Sequence, residues 1–229
     1  MSWLLAIDCT DRACSVALGE TEKLSVTEKY TEEPRQHAQQ VLPMMHSLLA
    51  DTQLSKTNID AIAVTLGPGS FTGLRIALSV AQSLAFALDR PLITESSLAA
   101  LAERIQNLKA ANRSGGRCFV GLDARMGEVY CAAFEAGEKV KRLSEDLLLS
   151  LEDAVEFASQ CDCAIGSALA LDQLSSLHFS TCDANEQVHA SDVFRLSIEK
   201  FRRHDFTSPT KIEPAYLRKE TAWKKIDQQ

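Results

Sequence analysis

Apolar and polar residues in the first 109 positions alternate with two different periods, one typical of strands and one typical of helices. Strand-type runs cover residues 2–8, 13–18, 23–30, 61–65 and 92–94, and helix-type runs cover 37–50, 70–88 and 96–109. A Gly-Pro-Gly turn at 67–69 precedes the second helix, and Ser70 stands where a helix cap is expected. The predicted order is three strands, helix, strand, helix, strand, helix.

The same alternation returns in a weaker form after residue 116. Strand-type runs cover 117–122, 128–134, 140–147 and 164–166, helix-type runs cover 151–160 and 192–203, and the sequence AANRSGG at 110–116 is the best linker candidate. The order of elements in residues 1–109 is that of a ribonuclease-H-like unit. The elements after residue 116 are interpreted as a degenerate copy of this unit. Such a duplication is the architecture of the actin/Hsp70-like (ASKHA) α/β fold. We therefore predict an N-terminal domain at 1–109, a C-terminal domain at 110–207 and a segment at 208–229 that packs back on the N-terminal domain.

Composition favours a soluble protein with a real core. Hydrophobic residues make up 45% of the 229 positions, and no continuous apolar run reaches the roughly 20 residues of a membrane span. The first apolar run lacks a basic region before it and ends at Asp8, so a first strand is expected there and not a secretory signal. We expect a cytoplasmic protein with no membrane partner.

Charge is distributed unevenly along the chain. The formal net charge is −7, yet residues 200–229 carry eight Lys/Arg against four Asp/Glu. An acidic body disfavours independent binding of nucleic acid, which needs a basic face. The basic tail, with Tyr216, Arg218 and Trp223 among its lysines, either contacts nucleic acid inside a complex or is a solvated helix end.

Metal-binding and redox motifs are missing from the sequence. The seven cysteines form no Cys-x-x-Cys pair and are expected to be buried, reduced thiols. The histidines at 37, 46, 178, 189 and 204 show no spacing of three or four within one helix. We predict no metal site and no catalytic residue in this chain.

Two segments leave a choice between a structural and a nucleotide-binding interpretation. Asp8 ends the first strand, where it either caps the turn or faces a nucleotide-bound magnesium; Thr10 stands where ATP-binding members of this fold have glycine. The loop from Gly67 to Gly73 either allows a tight strand-to-helix turn or cradles a phosphate, although it lacks the lysine of a Walker loop. The motif residues concerned are Asp8, Thr10, Gly67, Pro68, Gly69, Ser70, Phe71, Thr72 and Gly73.

The first two helices carry more apolar positions than one contact with a sheet requires. Each has two neighbouring apolar rows, which are either both covered within the monomer or partly exposed for a partner. We expect exposure, because apolar side chains left in water are usually tolerated only at an interface. The predicted partner-binding residues are His37, Val41, Met44, Leu48, Arg75, Ser79, Gln82, Ser83 and Phe86.

Several motifs resemble the TsaB (YeaZ-type) family over essentially the full length, above all GPGSFTGLRI at 67–76 and DARMGEVY at 123–130. This resemblance implies a scaffold that acts with a catalytic paralogue, TsaD, and an ATPase, TsaE. Together they transfer a threonylcarbamoyl group from threonylcarbamoyl-adenylate to N6 of adenosine 37 in tRNA. It also implies pairing through the helical face, with the paralogue or as a homodimer, and contact with tRNA only inside the complex.

The same resemblance places the metal ligands of the catalytic paralogue at Ser97 and Leu101 of this chain, and neither residue replaces histidine. ATP and divalent metal are therefore expected on partner subunits. Alternative functions are a stand-alone ATPase or metallopeptidase-like hydrolase of this fold and, more remotely, a ribonuclease-H-type nuclease, which needs a cluster of carboxylates.

Overall fold

A computed structural model describes residues 1–33, 36–107, 116–137 and 139–218. Its first sheet has five strands in the order β3-β2-β1-β4-β5. The strands are β1 (Trp3–Asp8), β2 (Cys14–Glu20), β3 (Ser25–Thr31), β4 (Ile59–Thr65) and β5 (Leu92–Glu95), and the helices between and after them are α1 (His37–Thr52), α2 (Phe71–Leu88) and α3 (Ser97–Ala102). The predicted order of elements in the first unit is confirmed.

The second sheet repeats this arrangement. Its order is β11-β10-β6-β7-β8, with β9 also paired to β7. The strands are β6 (Arg117–Arg125), β7 (Glu128–Glu135), β8 (Lys141–Arg142), β9 (Leu147–Ser150), β10 (Cys163–Ile165) and β11 (Thr181–Asp183), and the helices are α4 (Leu151–Ser159), α5 (Asp172–Ser175) and α6 (Ala190–Arg203). In each sheet the first strand pairs antiparallel with the second strand and parallel with the strand that follows the first helix, as β1 does with β2 and β4, and β6 with β7 and β10. The duplicated fold is therefore present, and its second copy has shorter elements.

Two predicted elements differ from those observed, and the observed strand β11 has no predicted counterpart. The single strand expected at 140–147 is two short strands, because the hydroxyl of Ser144 accepts a hydrogen bond from the Ala133 amide and Arg142 pairs with Asp146, which interrupts the ladder. The strand β11 was not predicted, since three residues carry no periodic signal. The third helix ends at Ala102 and continues as a 3₁₀ turn over Glu103–Asn107.

Apolar side chains fill three layers. One cluster joins the outer face of the first sheet to α1 and α2, one lies between the two sheets around α3 and α6, and one covers the outer face of the second sheet. Helix α6 lies within the range assigned to the second domain, yet it packs mainly on β1 and β2 of the first sheet. Phe194 of α6 is fully buried in the central cluster.

Residues 212–216 of the C-terminal segment run along the first unit. Ile212 is buried against the α1–α2 layer, and the amide of Ala215 donates to the carbonyl of Leu66 at 2.8 Å. The predicted linker apart from Gly116, the end of the third helix at 108–109, and the tail residues Lys219, Trp223, Lys224 and Lys225 lie outside the described residues.

Candidate partner-binding face and the motif loop behind it

The carboxylate at the end of β1 is sealed inside the protein. Asp8 is 1% exposed, and its oxygens accept hydrogen bonds from the amide of Thr10 at 3.2 Å, the hydroxyl of Thr10 at 2.7 Å and the hydroxyl of Thr65. Burial raises the pKa of Asp8 to about 6, against the hydrogen bonds from Thr65 and Thr10, which lower it. This geometry is that of the turn-capping interpretation, with Thr10 occupying the position where a glycine would leave room for phosphate.

The glycine-rich loop lets the start of α2 lie directly against the β1–β2 turn. A Cβ atom on Gly69 would lie 2.2 Å from the carbonyl oxygen of Thr10, and one on Gly73 would lie 1.8 Å from that of Cys9. The amide of Ser70 donates to the Thr10 carbonyl at 2.6 Å, and its hydroxyl caps the helix by accepting from the Gly73 amide at 3.2 Å. Ser70 is thus confirmed as the helix cap, and the glycines serve close packing.

The backbone of this loop has an uncommon conformation at its first two residues. The Gly67–Pro68 peptide is cis, and Gly67 has φ +105°, a conformation that favours glycine. Thr72 and Phe71 open the helix with exposed side chains. The motif therefore orients α2, with Gly73 against the β1–β2 turn and Phe71 and Thr72 in solvent.

Ser97 and Leu101, at the positions compared with metal ligands, are both fully buried. Leu101 belongs to the central apolar cluster, and the Ser97 amide donates to the Gly67 carbonyl at 2.9 Å. Within the ranges that the structure describes, no group of three or more His, Cys, Asp or Glu side chains is placed to hold a metal ion. Six cysteines are buried and Cys182 is exposed, so the expectation of buried thiols is wrong for that one residue.

The expectation that the predicted row on α1 lies at the surface is wrong. Val41 and Leu48 are fully buried and Met44 is 9% exposed, in the cluster between α1, α2 and the first sheet. The buried positions Val41, Met44, Met45, Leu48 and Leu49 come from both apolar rows of α1 and form one stripe, and α1 packs on β2 and β3. His37 is half-buried, with its Nε2 3.0 Å from the carbonyl oxygen of Arg12.

On α2 the sequence interpretation matches the exposure. Phe86 is 80% and Phe71 55% exposed, and Arg75, Ser79 and Ser83 are also exposed on the same side of the helix. We call Phe71, Arg75, Ser79, Ser83 and Phe86 the α2 face. Its apolar members are large side chains that the chain itself leaves in contact with water.

Gln82, predicted with this group, is half-buried and turned to the C-terminal segment. Its amide nitrogen lies 2.8 Å from the carbonyl oxygen of Pro209 and 3.3 Å from that of Ile212, and it donates to both. Gln82 therefore anchors the segment that flanks the α2 face, and it is no longer assigned to a direct contact with a partner.

Sequence reasoning missed two contributors to this surface. Leu42 of α1 is 46% exposed. A groove of about 430 Å³ between the starts of α1 and α2 is lined by Ala38, Phe71, Ile76 and Val80 among others. Tyr216 was assigned to the tail, but its hydroxyl accepts from Nε of Arg75 at 3.1 Å and its ring lies 5.7 Å from that of Phe71. No pattern within α1 or α2 points to a tyrosine 141 positions further along the chain.

Helix α2 is also long and apolar enough to cross a membrane by length and composition, with 18 residues of which 33% are buried here. A core helix of a soluble protein passes the same test, so this single helix is weak support for a span. Most of its large aliphatic side chains pack in the cluster between α1, α2 and the first sheet, either buried or partly buried.

The family model and two of the relatives that match this chain carry names from tRNA threonylcarbamoyladenosine biosynthesis. The family model of TsaD, tRNA N6-adenosine threonylcarbamoyltransferase, matches residues 29–222. The tRNA threonylcarbamoyladenosine biosynthesis protein TsaB of Escherichia coli (strain K12) is 32% identical over 97% of both chains. The protein of the same name from Haemophilus influenzae is 32% identical over 97% of this chain and 96% of its own length.

Solved structures agree with this comparison. YeaZ from Pseudomonas aeruginosa is 33% identical and superposes with a TM-score of 0.82 over 95% of this chain and 100% of its own. An inorganic polyphosphate/ATP-glucomannokinase from Arthrobacter sp. strain KM is 13% identical, with a TM-score of 0.51 over 87% of this chain and 100% of its own, and is similar in fold alone. The predicted actin/Hsp70-like fold class is confirmed.

Proposed function

The chain belongs to the TsaB (YeaZ-type) family of tRNA threonylcarbamoyladenosine biosynthesis proteins, and we propose on this premise that it is a non-catalytic scaffold that binds and supports a TsaD-like catalytic paralogue. A TsaE-like ATPase completes the proposed complex. The complex acts in the cytoplasm and transfers a threonylcarbamoyl group to N6 of adenosine 37 of tRNA. ATP and divalent metal bind on the partner subunits, and tRNA meets this chain only within the complex.

The observation that carries the proposal is the exposure of the α2 face. Leaving a phenylalanine in water forfeits roughly 1.5–3 kcal/mol of burial free energy, and this helix exposes two, Phe71 and Phe86. Small residues at 79 and 83 between them allow another helix to approach closely. Exposed aromatic rings with an arginine and small residues between them are typical of a protein interface, and the same face also permits a homodimer.

Two features near the family motif support the absence of a catalytic role. The Asp8 carboxylate is already satisfied by Thr10 and Thr65, and the start of α2 packs directly on the β1–β2 turn through Gly69 and Gly73. A nucleotide phosphate approaching this turn would meet the Thr10 side chain in the place of a glycine. No observation on the described residues favours the alternative of a hydrolase.

Two substitutions on the α2 face test the binding role. Ser83→Arg and Phe86→Asp should each weaken binding of purified full-length chain to a TsaD-like protein by at least about tenfold, because a charge would be buried without a partner. Calorimetric titration measures the affinity, and sedimentation velocity measures self-association. Leu48 is unsuitable for this purpose because it is fully buried.

Ser159→Arg is the matched control, since Ser159 is an exposed helical serine on α4 of the second unit. Circular dichroism should give the same spectrum for all three variants. Full affinity in both α2-face variants would move the interface elsewhere. Turnover of ATP by this chain alone with divalent metal would contradict the non-catalytic role separately.

A further inference from the structure

The turn between β6 and β7 adopts an uncommon backbone conformation. Three consecutive residues have left-handed φ angles: Arg125 at +65°, Met126 at +58° and Gly127 at +76°. Side chains disfavour this region at the first two positions, so hydrogen bonds to the turn help to stabilise it. The side chain of Met126 is 79% exposed at the tip.

Arg218, from the far end of the described chain, holds this turn. Its Nη2 donates to the carbonyl of Ala124 at 3.0 Å, to that of Arg125 at 3.4 Å and to the carboxylate of Glu128. Its Nη1 lies 3.8 Å from the sulfur of Met126. One guanidinium thus satisfies two carbonyls of the turn and a carboxylate at the start of β7.

The residues just before Arg218 are fixed to the first unit. The Ala215 amide donates to Leu66 at 2.8 Å, and the Tyr216 hydroxyl accepts from Nε of Arg75. The Arg75 guanidinium also lies over the ring of Phe71, 3.6 Å from its centroid. Tyr216 and Arg218 are two residues apart, so a displacement of one is passed to the other through a short length of backbone.

We propose that residues 212–218 form a strap that couples the α2 face to the β6–β7 turn. Occupancy of Arg75 and Phe71 by any ligand is transmitted through Tyr216 to Arg218, and changes how firmly the left-handed turn is held. The coupling is a property of this chain alone. It requires neither the proposed partner nor the proposed function.

Amide hydrogen exchange of the full chain, followed by mass spectrometry, tests the coupling in peptides covering 123–129. Arg218→Ala should accelerate exchange about tenfold, because it removes charge-assisted hydrogen bonds to the turn. Arg75→Ala should accelerate it about threefold through loss of a single side-chain hydrogen bond to the strap. Tyr216→Phe, which keeps the ring and loses the accepting oxygen, should act in the same direction as Arg75→Ala.

Arg203→Ala is the matched control, because Arg203 is exposed and pairs with Glu199 within α6. It should leave exchange at 123–129 unchanged, and exchange over β4 should be unchanged in every variant. Normal exchange in Arg218→Ala would show that the strap does not hold the turn. Fast exchange in Arg218→Ala with normal exchange in Arg75→Ala and Tyr216→Phe would overturn the coupling, as would equal acceleration over β4.

Discussion

At the scale of single residues, the most informative group is the buried carboxyl of Asp8. Asp8 is an acid with its two oxygens enclosed by threonine hydroxyls and an amide, and burial is the main cause of its raised pKa. The chain therefore holds a charge in its interior at neutral pH, at a cost that it would avoid with a neutral side chain. The sequence left the role of Asp8 open between a turn cap and a magnesium neighbour, since both begin with an acid at the end of a strand. What separates the two is the depth of burial, which a linear pattern does not contain.

The Asp8→Asn variant should reveal this cost as a function of pH. Between 3.8 and about 6, the folded wild type keeps a proton on Asp8 that the unfolded chain releases, so the unfolding free energy falls as the pH rises through this window. Asparagine has no such titration. The difference in unfolding free energy, variant minus wild type, should rise by on the order of 3 kcal/mol across the window and stay constant above it. Urea unfolding at a series of pH values measures this difference, and parallel curves for the two proteins would contradict the prediction.

At the scale of elements, α1 and α2 show how far periodicity reaches. Both helices, their positions within a few residues and the capping serine could be predicted, because apolar spacing and a glycine-rich turn are local signals. The sequence could not show which apolar row faces water, because the exposure of a row depends on the elements packed around each helix. Buried residues of both α1 rows form one stripe against the sheet with Leu42 left exposed, whereas α2 keeps Phe71 and Phe86 exposed. Gln82 and Tyr216 take part in contacts between α2 and the C-terminal segment. These contacts join residues far apart in the sequence, so the pattern of the helices does not predict them.

Replacement of Gly73 tests the seating of α2 on the β1–β2 turn. In Gly73→Ala the new Cβ would lie 1.8 Å from the Cys9 carbonyl oxygen, so the helix start must move away from the turn. We expect a loss of about 3 kcal/mol or less in unfolding free energy, the usual range for an overpacked site. Urea denaturation measures it.

Gly137→Ala is the control for this substitution. A Cβ there would have the Lys139 carbonyl oxygen as its nearest neighbour at 3.5 Å, an ordinary contact. Its unfolding free energy should stay within about 0.5 kcal/mol of the wild type. Equal stability of the two alanine variants would show that close approach at Gly73 is not required.

At the scale of the whole molecule, the two copies of the fold share an interior. The predicted division at residues 110 and 207 follows the order of elements, but α6 lies between the sheets and packs on the first one. Connectivity could be anticipated from the repeated pattern of strands and helices. The packing of α6 on the first sheet could not be anticipated. The pattern of an amphipathic helix shows which of its sides is apolar, but it does not show which sheet covers that side.

Truncation of Phe194 tests whether the two units unfold together. This side chain is fully buried in the central cluster, and Phe194→Ala should cost about 3–5 kcal/mol. Because the cluster contains residues of both sheets, amide protection should fall by similar factors over β4 and β7. Hydrogen exchange of both strands measures this, with Phe179→Ala, in the outer cluster of the second sheet, as the contrasting variant. Loss of protection over β4 alone would mean that the sheets open independently.

The placement of the exposed aromatic rings has a consequence for assembly. Among the described residues, the aromatic side chains that reach solvent most fully, Phe71, Phe86 and Tyr216, all belong to α2 or touch its first turn. Two chains that associate through this patch form a closed two-fold pair, because each copy covers the patch of the other. Growth of a filament through these rings would need a second, separate complementary surface.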